Sequence, residues 1–478
     1  LIYINSSNFI DGNFYLFGKT EDEKDVYLCI YKHETYLLCK SLLDSKSNKR
    51  MKSYEMQNIK SILEDNQIEL VEDKKITYEL MMESQAYKHD LSVIYKCPLK
   101  DYNQFSDAIK LLNDKKYFVP EFPSATNKFF SDLGLYPSQW IEIDVPKEKG
   151  TSTNEGVIWD DFVETDSLDK PYQFLLKSSS IKNPELVKLP PPMKILTMDC
   201  EMMSSRFGIN GSRAHPNSVI EGDVIYCISL VMGNSQTKEV TDRKCLFITD
   251  QNLEISTGEI IKCSDEEDLL LKFSEYIRKE NPDLITCYNG QGFDFPYIEI
   301  RSSLLSIPIY GRLKSFSYKK FDLNLKLKLS SDQRYKTDSF DGAGRTYHKY
   351  TSPIAHGRII ADTFNLVKGT KVSKGVQGKL QSLKLSDVGE YFIKETKEDI
   401  SYSETYLGFR SKVKTELERI SSYCVQDSVL TWKIFMKMNA VVYLREASRM
   451  FFMDMGSVLD SGQTAKIYDN MLIKGFKD

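Results

Sequence analysis

A multidomain protein of mixed α/β and α+β class is what the sequence predicts, on three observations. The 478 residues exceed what a single hydrophobic core accommodates, so two to four domains are expected. The opening segment alternates apolar and polar residues between turn signals and then changes to helical spacing. After a run of prolines the pattern changes again: strands lead and helices follow, as in an α/β domain with a mixed sheet.

The segment "NFIDGNFYLFGKTEDEKDVYLCIYKHETYLLCK" reads as a meander of three strands, broken at Asp11-Gly12 and at Thr20 to Lys24. Phe105, Ile109 and Leu112 carry a helix from Asp101 to Leu112, and "TNKFFSDLGLYPSQWIEIDV" reads as a short helix leading into a strand. Lys147 to Lys170 is polar, and "KLPPPMK" (Lys188 to Lys194) cannot join a helix or a central strand, so both are expected to be linkers. Strands are then expected at Met193 to Met198, Val224 to Met232, Lys244 to Ile248 and Leu284 to Tyr288, with helices at Ser264 to Lys279 and from Phe295. "LNLKLKLS" alternates with period two. "ELERISSYCVQDSVLTWKIFMKM" is a long amphipathic helix whose Ile420, Cys424, Leu430, Ile434 and Met438 face a core.

Composition narrows the function classes. No run of about 18 uncharged apolar residues is present to span a bilayer, so no membrane partner is expected and the protein is expected to be intracellular. The nine cysteines are scattered, odd in number and without a C-x-x-C pair, which argues for buried free thiols rather than disulfides or structural zinc. A formal charge of -4 gives no global sign of a nucleic-acid partner, so any such surface is local. The five histidines are dispersed and form no recognisable metal or triad arrangement. No nucleotide-cradling G-x-x-x-x-G-K-[ST] loop occurs.

The residues that invite chemistry are carboxylates. In "ILTMDCEMMSS", Asp199 and Glu201 sit two apart on an apolar run, so on a strand both point to one face. Two like charges there repel unless a cation sits between them. Asn289 and Asp294 follow a short apolar strand in "CYNGQGFDFPY", and Tyr423 and Asp427 in "YCVQD" are four apart on one helix face. Singly, each Asp reads as a turn or cap residue; the spaced set does not.

The motifs "DCE", "YNGQGFD" and "YCVQD" resemble, in order, the three exonuclease motifs of family B DNA polymerases. "HGRIIADTFNLV", "KLQSLKLSDVGEYFIKETKED" and "SGQTAKIYDNML" resemble segments of the replicative delta type and its large-virus relatives. So do "LFGKTEDEKDVYLCIYKHETYLLC" and "FFSDLGLYPSQWIEI" upstream. The resemblance implies an OB-like β barrel with added helices over residues 1–190, a ribonuclease H-like 3′-5′ exonuclease domain over 191–439, and a helical lead into a polymerase palm over 440–478. It also implies two Mg²⁺ (or Mn²⁺) ions. Asp199 would bridge them, Glu201 and Asp427 would complete the first site, Asp294 would hold the second through water, and Tyr423 would orient the attacking water. Hard cations prefer oxygen ligands, which accounts for a site without cysteine or histidine. A sister nuclease class has histidine five residues before the last Asp; that position is Ser422 here, so the tyrosine pattern fits.

By the same resemblance Asn289 and Phe293 contact the terminal nucleotides, with a turn Asn and a core Phe as the structural alternative. Asp362, Lys379 and Ser382 match family positions and read as structural. The implied partners are DNA (a primer 3′ end and single-stranded template), the palm, fingers and thumb of the same polymerase, and a processivity factor or accessory subunits. The implied location is the nucleus of a cell, or a viral replication site in host nucleus or cytoplasm. The palm motifs D-x-x-S-L-Y-P-S-I and Y-G-D-T-D-S do not occur in these residues, so nucleotide addition is not expected of them. A stand-alone exonuclease and a non-catalytic DNA- or subunit-binding scaffold are the alternative readings.

Between Arg312 and Lys336 eight Lys or Arg stand against two Asp, a local net charge of +6. In the resembling family a β-hairpin here helps part primer from template, and Lys326 and Lys328 are the expected DNA contacts. Replacing both with alanine is expected to lower the slope of log affinity against log salt by about 1.4, at about 0.7 per phosphate on a single strand. An unchanged slope in a salt titration of DNA binding contradicts that role.

Overall fold

The computed structural model describes residues 1–10, 12–31, 33–41, 49–82, 91–119, 124–144, 171–185, 188–206, 215–307, 357–369, 380, 382–397, 400–460, 467 and 470–471. The expected linker at Lys147 to Lys170, the basic hairpin with Lys326 and Lys328, and Lys379 lie outside them.

The amino-terminal part contains two sheets. Strands β1 (Ile2–Ile10), β2 (Asn13–Lys19) and β3 (Asp25–Ile30) form the expected antiparallel meander. What was expected as one third strand is two, because the chain breaks after Ile30 and β4 (Thr35–Ser41) joins a different sheet. The break is pinned at His33, which is buried against Asp132 and whose carbonyl accepts from the Tyr102 N–H.

From β4 the chain runs α1 (Lys49–Asp65), β5 (Thr77–Met82), β6 (Leu91–Leu99), α2 (Phe105–Asp114) and β7 (Tyr117–Phe118), giving a βαββαβ unit with strand order β5-β6-β4-β7. Then α3 (Ala125–Asp132) and β8 (Trp140–Ile143), β9 (Tyr172–Leu176) and β10 (Ile181–Lys182) complete the first sheet as β10-β8-β1-β2-β3-β9. Both sheets share one core, in which Phe14, Leu28, Tyr95 and Phe129 are buried together.

The second half is built on one mixed sheet. Its strands are β11 (Lys194–Met203), β12 (Val224–Asn234), β13 (Val240–Ile248), β14 (Glu259–Cys263), β15 (Leu284–Thr286) and β16 (Ile359–Ile360), ordered β14-β13-β12-β11-β15-β16. β11, β12 and β13 pair antiparallel, while β15 runs parallel to β11 and β16 parallel to β15. The short β14, which pairs parallel to β13, was not expected from the sequence.

Helices α4 (Glu266–Glu280) and α5 (Asp294–Leu304) cover one face, where Phe273, Ile277 and Ile298 pack on Leu196, Met198 and Ile228. After α6 (Thr363–Gly369), α7 (Leu385–Ile393) and α8 (Tyr402–Ser411), the long helix α9 (Lys414–Lys437) covers the other. Its Ile420, Cys424 and Val425 pack on Tyr226, Cys227 and Phe247, and its Trp432 and Phe435 pack beside Ile195 and Leu284. Helices α10 (Ala440–Phe451) and α11 (Ser457–Asp460) follow. All nine cysteines are buried free thiols, as expected.

Buried polar contacts join the halves. The Lys19 ammonium, on β2, lies 3.0 Å from Asp25 and 3.3 Å from Asp283, which precedes β15. Lys19 and Asp283 are both almost fully buried, so the charges must be matched in place. Asn281 donates to both Asp25 and Tyr27. On the carboxyl-terminal side, Ser7 N–H donates to Asp454 at 2.8 Å and the Ser138 and Ser448 hydroxyls meet at 2.8 Å.

Candidate active site

Strand β11 carries two sets of side chains by its period of two. Leu196, Met198 and Cys200 enter the α4/α5 core, so Thr197, Asp199 and Glu201 project to the α9 side. The strand is longer than expected, so Asp199 and Glu201 lie within it rather than at its end; β12 pairs along both, with a register shift only after Glu201.

Asp294 reaches the same place from the first turn of α5. Its Oδ1 accepts from the Cys200 N–H at 3.1 Å. The turn before it is unusually tight. Asn289 is left-handed at φ 64°, and a Cβ at Gly290 would lie 2.1 Å from the Cys287 sulfur, so that position requires glycine. Asp362 sits beneath the turn and accepts from the Asn289 and Gln291 N–H groups at 2.9 and 3.0 Å, a supporting role, as expected from the sequence. Ser382 likewise turns inward and donates to Asp387.

Helix α9 supplies Tyr423 and Asp427 one turn apart, and both meet a residue the sequence did not single out. Lys397 Nζ donates to the Tyr423 hydroxyl at 2.8 Å and to Asp427 Oδ2 at 2.5 Å, and lies 4.6 Å from the Tyr423 ring centre. Lys397 comes from the irregular segment after α7, where no periodicity marks it. The only trace in the sequence is that it falls within a stretch resembling the family.

Electrostatics bind these groups into one unit. Burial, then Asp294, Asp427 and Glu201, push the Asp199 carboxyl well above the usual range. Burial, then Asp427 and Asp294, raise Glu201 to about 8. Burial and the nearby Asp362 raise Asp294 to about 7. Tyr423 is raised by burial and then by Asp427, Glu201 and Asp199, so it keeps its proton. The four carboxylates and the phenol are therefore brought together as neighbours. Among the described residues, however, no three His, Cys, Asp or Glu side chains are gathered closely enough to hold an ion as they stand: Asp427 is turned onto Lys397 and Asp294 onto the Cys200 amide. In kind the donors suit a hard divalent cation, being oxygens of strongly repelling carboxylates.

Beside the carboxylates opens a cleft of about 530 Å³ lined by residues including Tyr288, Asn289, Phe364, Lys384 and Lys397. Tyr288 and Phe364 meet edge to face at 5.7 Å, and the Tyr288 hydroxyl donates to the Leu383 carbonyl at 2.6 Å. Asn289 thus lines the cleft. Phe293 is not the core residue of the structural alternative: it is 43% exposed.

An acidic pocket at the centre of a mixed α/β sheet, flanked by an aromatic and basic cleft, defines a class of site that comparison with known proteins places. The family model for the exonuclease domain of family B DNA polymerases matches residues 122–388, more than half of the chain, and the chain belongs to that family. It is 26% identical over 302 residues to DNA polymerase 120R of Invertebrate iridescent virus 3, covering 62% of this chain and 24% of that protein. It is 28% identical over 281 residues to the DNA polymerase delta catalytic subunit of Caenorhabditis elegans, covering 59% and 23%. The DNA polymerase catalytic subunit of Human herpesvirus 6B is matched at 23% over 471 residues, 96% of this chain and 40% of that one. In structure the whole chain superposes on half of the family B DNA polymerase from Pyrobaculum calidifontis, with a TM-score of 0.61 at 14% identity. The chain thus spans about a quarter of the first two relatives' length. Among the described residues no helix is long and apolar enough to cross a membrane.

The raised carboxyls set a pH dependence. In the folded chain Glu201 and Asp294 hold protons that the unfolded chain, at ordinary carboxylate values, has released. The folded state therefore binds more protons over this range, and stability falls as pH rises from about 5 to about 8. Urea unfolding in a chelator is expected to give that fall, and Glu201→Gln is expected to flatten it. Parallel pH profiles for the two proteins contradict the coupling.

Proposed function

We propose that this chain is the amino-terminal and 3′-5′ exonuclease portion of a family B DNA-directed DNA polymerase, removing mispaired nucleotides from primer ends during replication. The observation that carries the reading is the meeting of Asp199, Glu201, Asp294 and Asp427 with Tyr423 in one half-buried pocket. The strand order supports a ribonuclease H-like domain: three antiparallel strands followed by two that add parallel on the far side of the first. We assign residues 1–190 to an OB-like domain with the βαββαβ unit added, 191–439 to the exonuclease, and 440–478 to the lead into a palm.

In this reading Asp199, Glu201 and Asp427 would hold one Mg²⁺ or Mn²⁺ ion, and Asp199 a second that Asp294 would hold through water. Bound there, the pair would supply positive charge to both the attacking water and the leaving oxygen of a phosphodiester. The protein's own groups do the positioning. Tyr423, kept protonated, orients the water, and Lys397 holds that phenol by donating to it. Releasing Asp427 from Lys397 readies it as a ligand. Single-stranded DNA enters along the cleft, with Asn289 and Phe293 against the terminal bases. A frayed end reaches the pocket more easily than a paired one, which must first unpair and unstack. The remaining polymerase domains, single-stranded template and a processivity factor or accessory subunits are the proposed partners, and the nucleus or a viral replication site the proposed location.

Degradation of a labelled single strand with Mg²⁺ tests the reading. Charge stabilisation by bound metal is worth several kcal/mol, so an Asp199→Ala, Glu201→Ala double variant is expected to be slower by about a thousandfold or more. Equal rates for variant and parent remove the catalytic assignment.

A further inference from the structure

The face of α9 that meets β12 is a matched stripe. Cys424, Ser428 and Trp432 are spaced four apart and stand against Cys227, Ser229 and Gly233. The Ser428 and Ser229 hydroxyls are 2.6 Å apart in a fully buried pair, and Ser229 Oγ also points to the Asp199 carbonyl at 3.5 Å. A Cβ on Gly233 would lie 2.3 Å from the Trp432 ring, so the helix seats its largest side chain where the strand has none. These contacts fix the height of α9 over the sheet, and with it the distance between helix-borne Tyr423 and Asp427 and strand-borne Asp199 and Glu201.

Cys424 stands where the stripe reaches the carboxylates. Its Sγ is 3.7 Å from Asp199 Oδ2 and 3.6 Å from the Asp199 carbonyl oxygen. Behind it, the Cys227 thiol is hydrogen-bonded to it, and Cys245 lies 3.4 Å from Cys227. A thiol is a weak donor, but this one is enclosed: Cys424, Cys227 and Cys245 are each inaccessible to solvent. No water competes for the Asp199 oxygen on that side.

We propose that Cys424 is a positioning residue, its thiol donating to the Asp199 carboxylate and fixing the plane that this carboxylate presents to a divalent cation. The inference rests on the metal-dependent reading above and deepens it. A ligating carboxylate works through lone pairs of fixed direction, and a hydrogen bond from behind leaves the opposite lone pairs aimed into the pocket. Outer partners of this kind change metal affinity when removed.

The test is Mn²⁺ binding to the whole chain, without nucleic acid, followed by loss of the free-ion electron spin resonance signal. Cys424→Ala removes the donor and is expected to raise the Mn²⁺ dissociation constant by about tenfold. Cys424→Ser keeps a donor and is expected to stay within about threefold of the parent, below the roughly tenfold loss that removing an outer partner brings. Cys245→Ala makes a similar void in the same thiol cluster without touching Asp199, and is expected to bind Mn²⁺ as the parent does even where its melting temperature falls. Equal weakening by Cys424→Ala and Cys245→Ala, or a Cys424→Ser as weak as Cys424→Ala, overturns the positioning role. A parent chain that binds no Mn²⁺ and leaves single-stranded DNA intact overturns the metal-dependent reading, and the inference with it.

Discussion

Mutual repulsion among clustered carboxylates is the constraint around which the second half of this protein is organised. Asp199 and Glu201 come from alternate positions of one strand and are half-buried, while Asp294 and Asp427 come from two helices and are buried, so water screens the set only in part. Left ionised together they would destabilise the fold. The structure answers with protons, as the raised Asp199, Glu201 and Asp294 carboxyls record, and with one fixed cation, the Lys397 ammonium on Asp427. Under the proposed function, a divalent ion bound there would replace what protons and lysine only partly supply.

The scaffold is built to hold the charges in spite of their repulsion. β11 pairs with β12 along its length, Asp199 and Glu201 included, and with β15 from Ile195 to Thr197, which holds the two carboxylates on one face of the sheet. The turn before Asp294 is braced by two of its amides, Asn289 and Gln291, donating to Asp362, which the Phe364 N–H holds from its own side. Further out, Arg301 forms a buried pair with Glu266 and donates to the carbonyls of Ser218, Ile220 and Glu221. That anchors the chain just before β12. The cleft lined by Asn289 and Lys397 opens beside these groups.

Much of this was legible in the sequence, for a physical reason: periodicity reports which side chains share a face. The period of two placed Asp199 with Glu201, and the period of 3.6 placed Tyr423 with Asp427. Lys397 escaped because it lies on irregular chain, where spacing says nothing about direction. The split between β3 and β4 escaped because alternation continues through the break, while the change of sheet is set by His33 and Asp132, far apart along the chain. β14 escaped because its apolar residues do not alternate: Ile260 and Ile261 stand side by side between Glu259 and Lys262. The role assigned to Cys424 could not be read either, since a buried thiol in a core helix looks the same whether its neighbour is a leucine or a carboxylate.

The most direct test of the central claim is calorimetry of Mn²⁺ binding near about pH 7, in buffers of differing protonation enthalpy. If the pocket is held together by protons that a metal displaces, the apparent enthalpy will vary with the buffer, with net proton release. Binding heats independent of the buffer would mean that the carboxylates were already ionised, and that repulsion is not what gives the pocket its affinity.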